Sequence, residues 1–289
     1  MSFKTKRVLA ATASAAVATL FLAGCAPAGN DVAAGCEAYA DYQGFDGTEV
    51  EVYTTIIAPE ADLFVESFAE FEECTGITVN WNGTQEFEAQ IAVRVEGGTA
   101  PDLAIFPQPG LLARFKDSLV AAPAAVSESV DANYSPDWKN YGTVDGTFFA
   151  APLGANVKSF VWYNPKVFAD NNYTIPTTWQ ELLDLSDKIA ADGKVQPWCA
   201  GFGSGEATGW VGTDWMEDIM LRTASAETYD KWTTHGIPFN DPAVATAIAE
   251  AGKILKNPKY VGDVASIATT TFQDGGAGIV DGSCAMHRQ

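Results

Sequence analysis

Apolar residues recur at two alternating spacings along this chain, and the alternation lays out its elements. Val50 to Thr54 is rich in β-branched and aromatic residues and predicts a strand. Phe64, Phe68 and Phe71 then stand at helical spacing between Pro59 and Gly76. Ile77 to Trp81 alternates as a second strand. Phe87, Ile91 and Val95 mark a second helix, which Gly97-Gly98 ends. Asp102 to Phe106 predicts a third strand, and Pro107-Gln108-Pro109-Gly110 continues neither a strand nor a helix. Strand, helix, strand, helix, strand is the order of a parallel sheet covered on both faces.

Further along, residues 121–147 are rich in Ala, Pro, Ser and Asp and predict irregular structure. Phe148 to Pro152 and Val157 to Tyr163 are strand-like runs around Gly154-Ala155-Asn156, with Trp162 or Tyr163 expected in a core. Thr178 and Glu181 have capping-box spacing before a helix carrying Leu182, Leu185 and Ile189 and ending at Gly193. Trp198 to Phe202 predicts another strand. Asp214 and Glu217 repeat the capping-box spacing and predict a helix opening there, with Trp215 and Ile219 on one face. Asp241-Pro242 starts a third helix, with Val244, Ile248, Ala251 and Leu255 at core spacing and Asn257-Pro258 at its end. The expected fold is α/β in two units, a first lobe over 48–152 and a second over 153–289, with the chain crossing between them around 148–157.

The amino terminus has a different pattern. Lys4, Lys6 and Arg7 precede an apolar run from Val8 to Leu22, the composition of an export signal over residues 1–24. Leu22-Ala23-Gly24-Cys25 resembles the lipobox of bacterial lipoproteins, which implies cleavage before Cys25 and attachment of lipid to it. A plain secretory signal with an incidental cysteine is the alternative. The run is too short and too rich in Ala, Thr and Ser to make a good membrane span. Residues 25–47 read as a small, polar, lipidated tether. The expectation is an extracytoplasmic protein held to the bacterial cell membrane by acyl chains.

Charge and cysteine content narrow the partners. The formal net charge is -20 for the whole chain. Loss of residues 1–24 removes three basic residues and no acidic ones, leaving 14 basic against 37 acidic, or -23. Such a surface repels phosphate backbones, so nucleic acid is excluded as a partner. It also repels anionic headgroups, so membrane attachment rests on the lipid alone. With Cys25 assigned to lipid, four of the five cysteines remain, an even number in an oxidising compartment. The pairs Cys36–Cys74 and Cys199–Cys284 are expected because each closes within one lobe; free buried thiols are the alternative. No two cysteines have zinc-type spacing and the only histidines are His235 and His287, so no metal site and no cofactor are expected.

The ordered set of features resembles the extracellular solute-binding proteins of carbohydrate ABC importers, with the two-lobed type II periplasmic-binding fold. The resemblance rests on Gly97-Gly98-Thr99-Ala100-Pro101-Asp102, on Phe160-Val161-Trp162-Tyr163-Asn164 and on Pro176-Thr177-Thr178-Trp179. Trp198-Cys199-Ala200-Gly201, Ser204 to Trp210 and Thr213-Asp214-Trp215 are similar to the α-glucoside-binding branch. The resemblance implies a monomeric receptor that closes its lobes on a disaccharide or oligosaccharide and delivers it to ABC permease subunits. Members of the family run well past 289 residues and return to the first lobe. The expectation is therefore a second lobe incomplete at its C-terminal end, with exposed apolar surface and low stability.

Candidate ligand contacts follow from where such folds bind. Loops beyond the carboxyl ends of the strands converge on the ligand, and here they carry Thr84, Gln85 and Gln108. Trp210, Asp214, Trp215 and Arg288 are expected to face them from the second lobe. A sugar presents C–H patches to indole faces and paired hydroxyls to carboxylate, amide and guanidinium groups. Each residue also has a structural alternative: Trp215 as core, Asp214 as a helix cap, Thr84 and Gln85 as a helix start. Catalytic readings are poorer. Ser204 lacks the glycine two residues earlier that a nucleophile elbow needs, and Gly203-Ser204-Gly205 lacks the lysine of a phosphate loop. Paired carboxylates such as Asp214 and Glu217 could hydrolyse glycosides, but 37 acidic residues make chance pairs common. A non-enzymatic sugar receptor is expected. A secreted glycan-cleaving hydrolase and a binder of some other solute, such as a peptide or polyamine, are the alternatives.

Overall fold

The structure is a computed structural model that describes residues 32–289. The signal segment and the lipidation expected at Cys25 lie outside the described residues. The chain enters through a 3-10 turn, Glu37–Tyr42, that is stapled down and not free. Cys36 is disulfide-bonded to Cys74, Gln43 donates to the Cys74 carbonyl at 3.1 Å, and Tyr39 and Tyr42 pack edge-on against Phe71. The tether expected to run to residue 47 is thus docked from Cys36 onward.

Strand β1 (Glu49–Thr54) leads into helices α1 (Glu60–Ser67) and α2 (Ala69–Thr75), then β2 (Thr78–Gly83), α3 (Phe87–Glu96) and β3 (Leu103–Ile105). The three strands are parallel in the order β2-β1-β3. Successive strand side chains point to opposite faces. Trp81 therefore meets α1, where Phe64 stacks on it at 5.0 Å, while Tyr53 meets Phe87 of α3 at 4.9 Å on the other side. The aromatic helix expected between Pro59 and Gly76 is present but breaks at Phe68.

Residues 121–147 are not irregular. After α4 (Pro109–Arg114) come α5 (Ala124–Asn133), α6 (Pro136–Tyr141) and a hairpin of β4 (Thr143–Val144) and β5 (Thr147–Phe148). Asp145 and Gly146 turn that hairpin with φ of 50° and 80°, the left-handed pair a two-residue loop demands. Residues 149–160 then cross without regular structure to the second sheet.

That second unit contains β6 (Val161–Tyr163), α7 (Pro165–Asn171), α8 (Trp179–Asp192), β7 (Gln196–Cys199), α9 (Trp210–Thr223), α10 (Ala226–Thr233), α11 (Pro242–Leu255), α12 (Pro258–Val261), α13 (Ala277–Asp281) and β8 (Cys284–Arg288). The last strand is the middle one: order β6-β8-β7, with β8 parallel to β7 and antiparallel to β6. Cys199–Cys284 joins β7 to β8. The capping box at Thr178 and Glu181 forms as expected. On α11 the core face is Val244, Ala247, Ala251 and Ile254, and Ile248 points outward. Tyr163 packs on the core, and Trp162 is exposed. The second part, expected to be incomplete, holds the larger packed core.

Candidate functional site

The carboxyl ends of the parallel strands gather the first-lobe candidates. Thr84 follows β2, donates its N–H to the Thr54 carbonyl at 2.9 Å, and accepts at Oγ1 from the Glu86 N–H. Gln85 lies beside it, one turn of chain before α3. Gln108 follows β3 and precedes Pro109, the first residue of α4; a helix does continue from Pro107-Gln108-Pro109 because proline is tolerated at that position. Its Nε2 donates to Glu88 Oε1 at 3.3 Å, so Gln108 is held against α3.

Helix α9 supplies the facing residues, and it opens five residues earlier than the capping-box spacing of Asp214 and Glu217 implied. Its first residue is Trp210, on Gly209 in the left-handed region, and Asp214 is an interior helical residue. This correction changes both roles. Trp210, Asp214 and Asp218 fall at i, i+4 and i+8 on one stripe, while Val211, Trp215 and Ile219 fall on the next and enter the core. Trp215 is 3% exposed, packs against Trp198 at 5.9 Å, and offers no face to a ligand in this conformation. Trp210 is half-buried and makes a T-shaped contact with Phe272 at 5.0 Å.

Arg288 is likewise internal, 5% exposed at the end of β8. Its Nη2 donates to Asp218 Oδ2, Ser159 Oγ and the Asp214 carbonyl, all within 3.1 Å, and its guanidinium lies 4.5 Å over the Trp215 ring. Burial lowers its pKa and the Asp218 carboxylate opposes that shift. The guanidinium ties β8, α9 and the crossing segment together. Nearby, burial of the Glu217 carboxyl and then the neighbouring Asp214 raise the Glu217 pKa, although part of that side chain is open to solvent.

Reading the sequence missed Lys158. Its Nζ is 2.9 Å from Asp214 Oδ2 and 4.3 Å from the Trp210 ring centroid. The signal was the i, i+4 pair of Trp210 and Asp214, visible once the helix is started at the right residue.

The two sets of residues meet through the loop before α9. Gly201 lies against residues 271 and 275 so closely that a Cβ would stand 2.5 Å from the Thr271 carbonyl oxygen. Phe202 and Gly203 donate to the Ile267 and Thr270 carbonyls, and Thr208 Oγ1 accepts from the Ser204 N–H. This braced loop presents Gly205, at φ +54°, to the first lobe: a Cβ there would lie 3.1 Å from Gln85 Cβ and Glu86 Oε1. Thr84 and Gln85 are thereby brought to the same region as Trp210 and Asp214. Two surface recesses lie elsewhere, one of about 580 Å³ along the outer edge of β2 and one of about 180 Å³ beside α5 and α6. The candidate site is built where loops of the two units meet. Among the described residues no helix is long and apolar enough to cross a membrane.

Two α/β units, joined by a crossing segment and touching through strand-end loops, define a two-lobed solute-binding architecture. Residues 58–283 match the bacterial extracellular solute-binding protein family, and the chain belongs to it. Membership places it outside the cytoplasm. The chain is 43% identical over 251 residues to the osmoprotective compounds-binding protein GgtB of Synechocystis sp., covering 84% of this chain and 59% of that protein. It is 41% identical over 239 residues to the alpha-glucosides-binding periplasmic protein AglE of Rhizobium meliloti, covering 78% and 52%. The chain thus spans little more than half the length of these curated relatives. A solved chitin oligosaccharide binding protein superposes with a TM-score of 0.69 at 19% identity, over 85% of this chain and 61% of that one, a likeness of fold.

Proposed function

We propose that this chain is the ligand-capturing part of an ABC importer, and that it takes a neutral saccharide of the α-glucoside class between its lobes. The observation that carries the reading is the α9 stripe: an indole and a carboxylate one turn apart, Trp210 and Asp214, near the loop that touches Gln85. An aromatic face beside a hydroxyl-seeking carboxylate suits a pyranose ring. The relative AglE, named for binding alpha-glucosides, supports the same ligand class. Thr84, Gln85 and Gln108 are the first-lobe contacts in this reading. Trp215 and Arg288 hold α9 in place from behind.

Ligand that touches both lobes shifts the population toward a closed form, which docks on the permease. Micromolar affinity, about -8 kcal/mol, favours closure while permitting release. Lipid on Cys25 keeps the receptor at the membrane, as a monomer. GgtB and AglE are both named as binding proteins, which supports capture over cleavage.

Calorimetric titration of the full chain with maltose, sucrose and trehalose tests the reading, with chromatography of the same mixtures to detect hydrolysis. Saturable heat without new products is expected. Product formation would move the assignment to a hydrolase, and silence with all three sugars would end the α-glucoside assignment.

A further inference from the structure

The groups assigned to the sugar already have an occupant. Lys158 places its ammonium 4.3 Å over the Trp210 ring and 2.9 Å from the Asp214 carboxylate, the two features that mark α9 as a saccharide platform. A cation over an indole face beside a carboxylate is a satisfied arrangement. A pyranose cannot stack on the same patch of indole, or accept and donate at the same carboxylate oxygen, while Lys158 stays there. Lys158 is also not part of a rigid element. It belongs to the unstructured crossing between the lobes, residues 149–160, most of which are exposed. Its neighbour Ser159 has φ +70°, a conformation serine rarely adopts, and is held there by the hydrogen bond from Arg288 Nη2. Two successive residues of the crossing segment are therefore pinned, Lys158 to α9 at the candidate ligand platform and Ser159 to Arg288 of β8 just behind it.

We propose that Lys158 is a latch: in the ligand-free protein it covers Trp210 and Asp214, and a bound saccharide displaces it, releasing the segment that joins the lobes. The proposal rests on the saccharide reading of the site. Binding is thereby coupled to the hinge through one side chain, without any relay through the core. The latch is weak enough to yield. The Lys158 side chain is 41% exposed, so its ion pair is screened by solvent and salt. Discrimination follows as well, since a ligand must offer more to Trp210 and Asp214 than the ammonium it replaces.

Lys158→Met keeps the aliphatic stem and removes the charge. Two measurements on the full chain test it. Without ligand, chymotrypsin should cut the crossing segment at Leu153 or Phe160, scored by product mass so that cleavage after position 158 is not counted, about two- to five-fold faster in the variant than in the parent, the range of one screened ion pair. Asp214→Asn, which leaves Lys158 in place, should give the same acceleration, with unchanged melting temperature as the check on folding. Equal cleavage rates in all three proteins would overturn the latch. With the sugar that gives heat in the parent, Lys158→Met should bind about two- to five-fold tighter, because no internal competitor remains. Weaker binding would make Lys158 a ligand contact, and unchanged binding would separate it from the site; either outcome refutes displacement. If the parent binds none of the sugars, displacement falls with the saccharide reading, and the cleavage rates decide separately whether Lys158 pins the segment.

Discussion

Arg94 and Arg288 occupy two arginine environments that composition treats as equal. Arg94 grips Glu51 with a two-pronged contact, Nη1 to Oε1 at 2.9 Å and Nη2 to Oε2 at 2.6 Å, and lies over the Tyr53 ring at 4.6 Å. Such fork geometry is the case in which a partly exposed ion pair contributes measurably. The hydrogen bonds from Arg94 hold the Glu51 carboxyl below its ordinary value of 4.5. An acid with a lowered folded pKa contributes stability that is full above the unfolded value and is lost as pH falls through the folded one. Arg94→Met should therefore cost about 1 kcal/mol at pH 7 by urea unfolding. The gap to the parent should close progressively as pH falls from the unfolded value through the lowered folded one, below which Glu51 is neutral in both proteins. A gap that stays constant down to pH 3 would assign the cost to packing on Tyr53. Arg288, by contrast, is sealed among Asp218, Ser159 and Trp215. Residue type suggested a place at the ligand for Arg288; its burial could not be read, because that depends on β8 lying in the middle of a sheet.

Elements were legible where one periodicity dominated. Helix α8, with its capping box and Gly193 at its end, appears where the pattern puts it because local capping and the buried stripe agree, whereas on α11, from Asp241-Pro242 to Asn257, the capping fixes the bounds but the buried face is turned by one residue at two of its four positions. The start of α9 was obscured because Gly209, with no side-chain acceptor, precedes it, while Asp214 mimics a cap inside it. The Asp145-Gly146 hairpin carried a usable turn signal that the Ala- and Pro-rich surroundings outweighed. Strand β8 had no signal of its own: all five residues are buried, so nothing alternates. Its position is fixed from both sides, by the Cys199–Cys284 bridge and by α13. A Cβ on Gly278 of α13 would lie 2.6 Å from Cys199 Sγ, 2.9 Å from Cys284 Sγ and 2.7 Å from Ser283 Oγ. The serine can rotate away, but the two sulfurs cannot. Gly278→Ala should thus destabilise by about 1–3 kcal/mol, and Cys199→Ala with Cys284→Ala by about 2–4 kcal/mol. The triple variant should be clearly more stable than the sum implies, since the clash disappears with the sulfurs. Additive losses in denaturant titrations would show that Gly278 is needed for another reason.

For the whole molecule, two α/β units could be read from the order of strands and helices, but the balance between them could not. Both parts have similar apolar content along the chain, yet they pack very differently. In the second part twenty buried residues, most of them from α8, α9, α11, β7 and β8, form one cluster, with Trp198 anchored through its Nε1 to Ser186. In the first part the corresponding cluster is Tyr53, Phe87, Ile91 and Leu111, and the buried Tyr53 hydroxyl has no partner among the described residues. Exposed apolar side chains occur in both parts, Val120 at 87% and Val280 at 89%, so the contrast lies in the cores. Stability contributed by apolar burial scales with the area removed from water, and opening free energies follow the packing of each unit. Amide exchange should therefore separate the two sheets: β1 to β3 exchange through a low-energy opening, while β7 and β8 are protected up to the global unfolding free energy. Calorimetry should show the same split as a first transition that the Cys36–Cys74 bridge raises in temperature and the Cys199–Cys284 bridge leaves unmoved. The loops that touch at Gly205 and Gln85 are one place where the transitions can be joined. A saccharide spanning them would pull the two transitions together. A single transition without ligand, with equal protection in both sheets, would mean that contact across the lobes outweighs the difference in their cores.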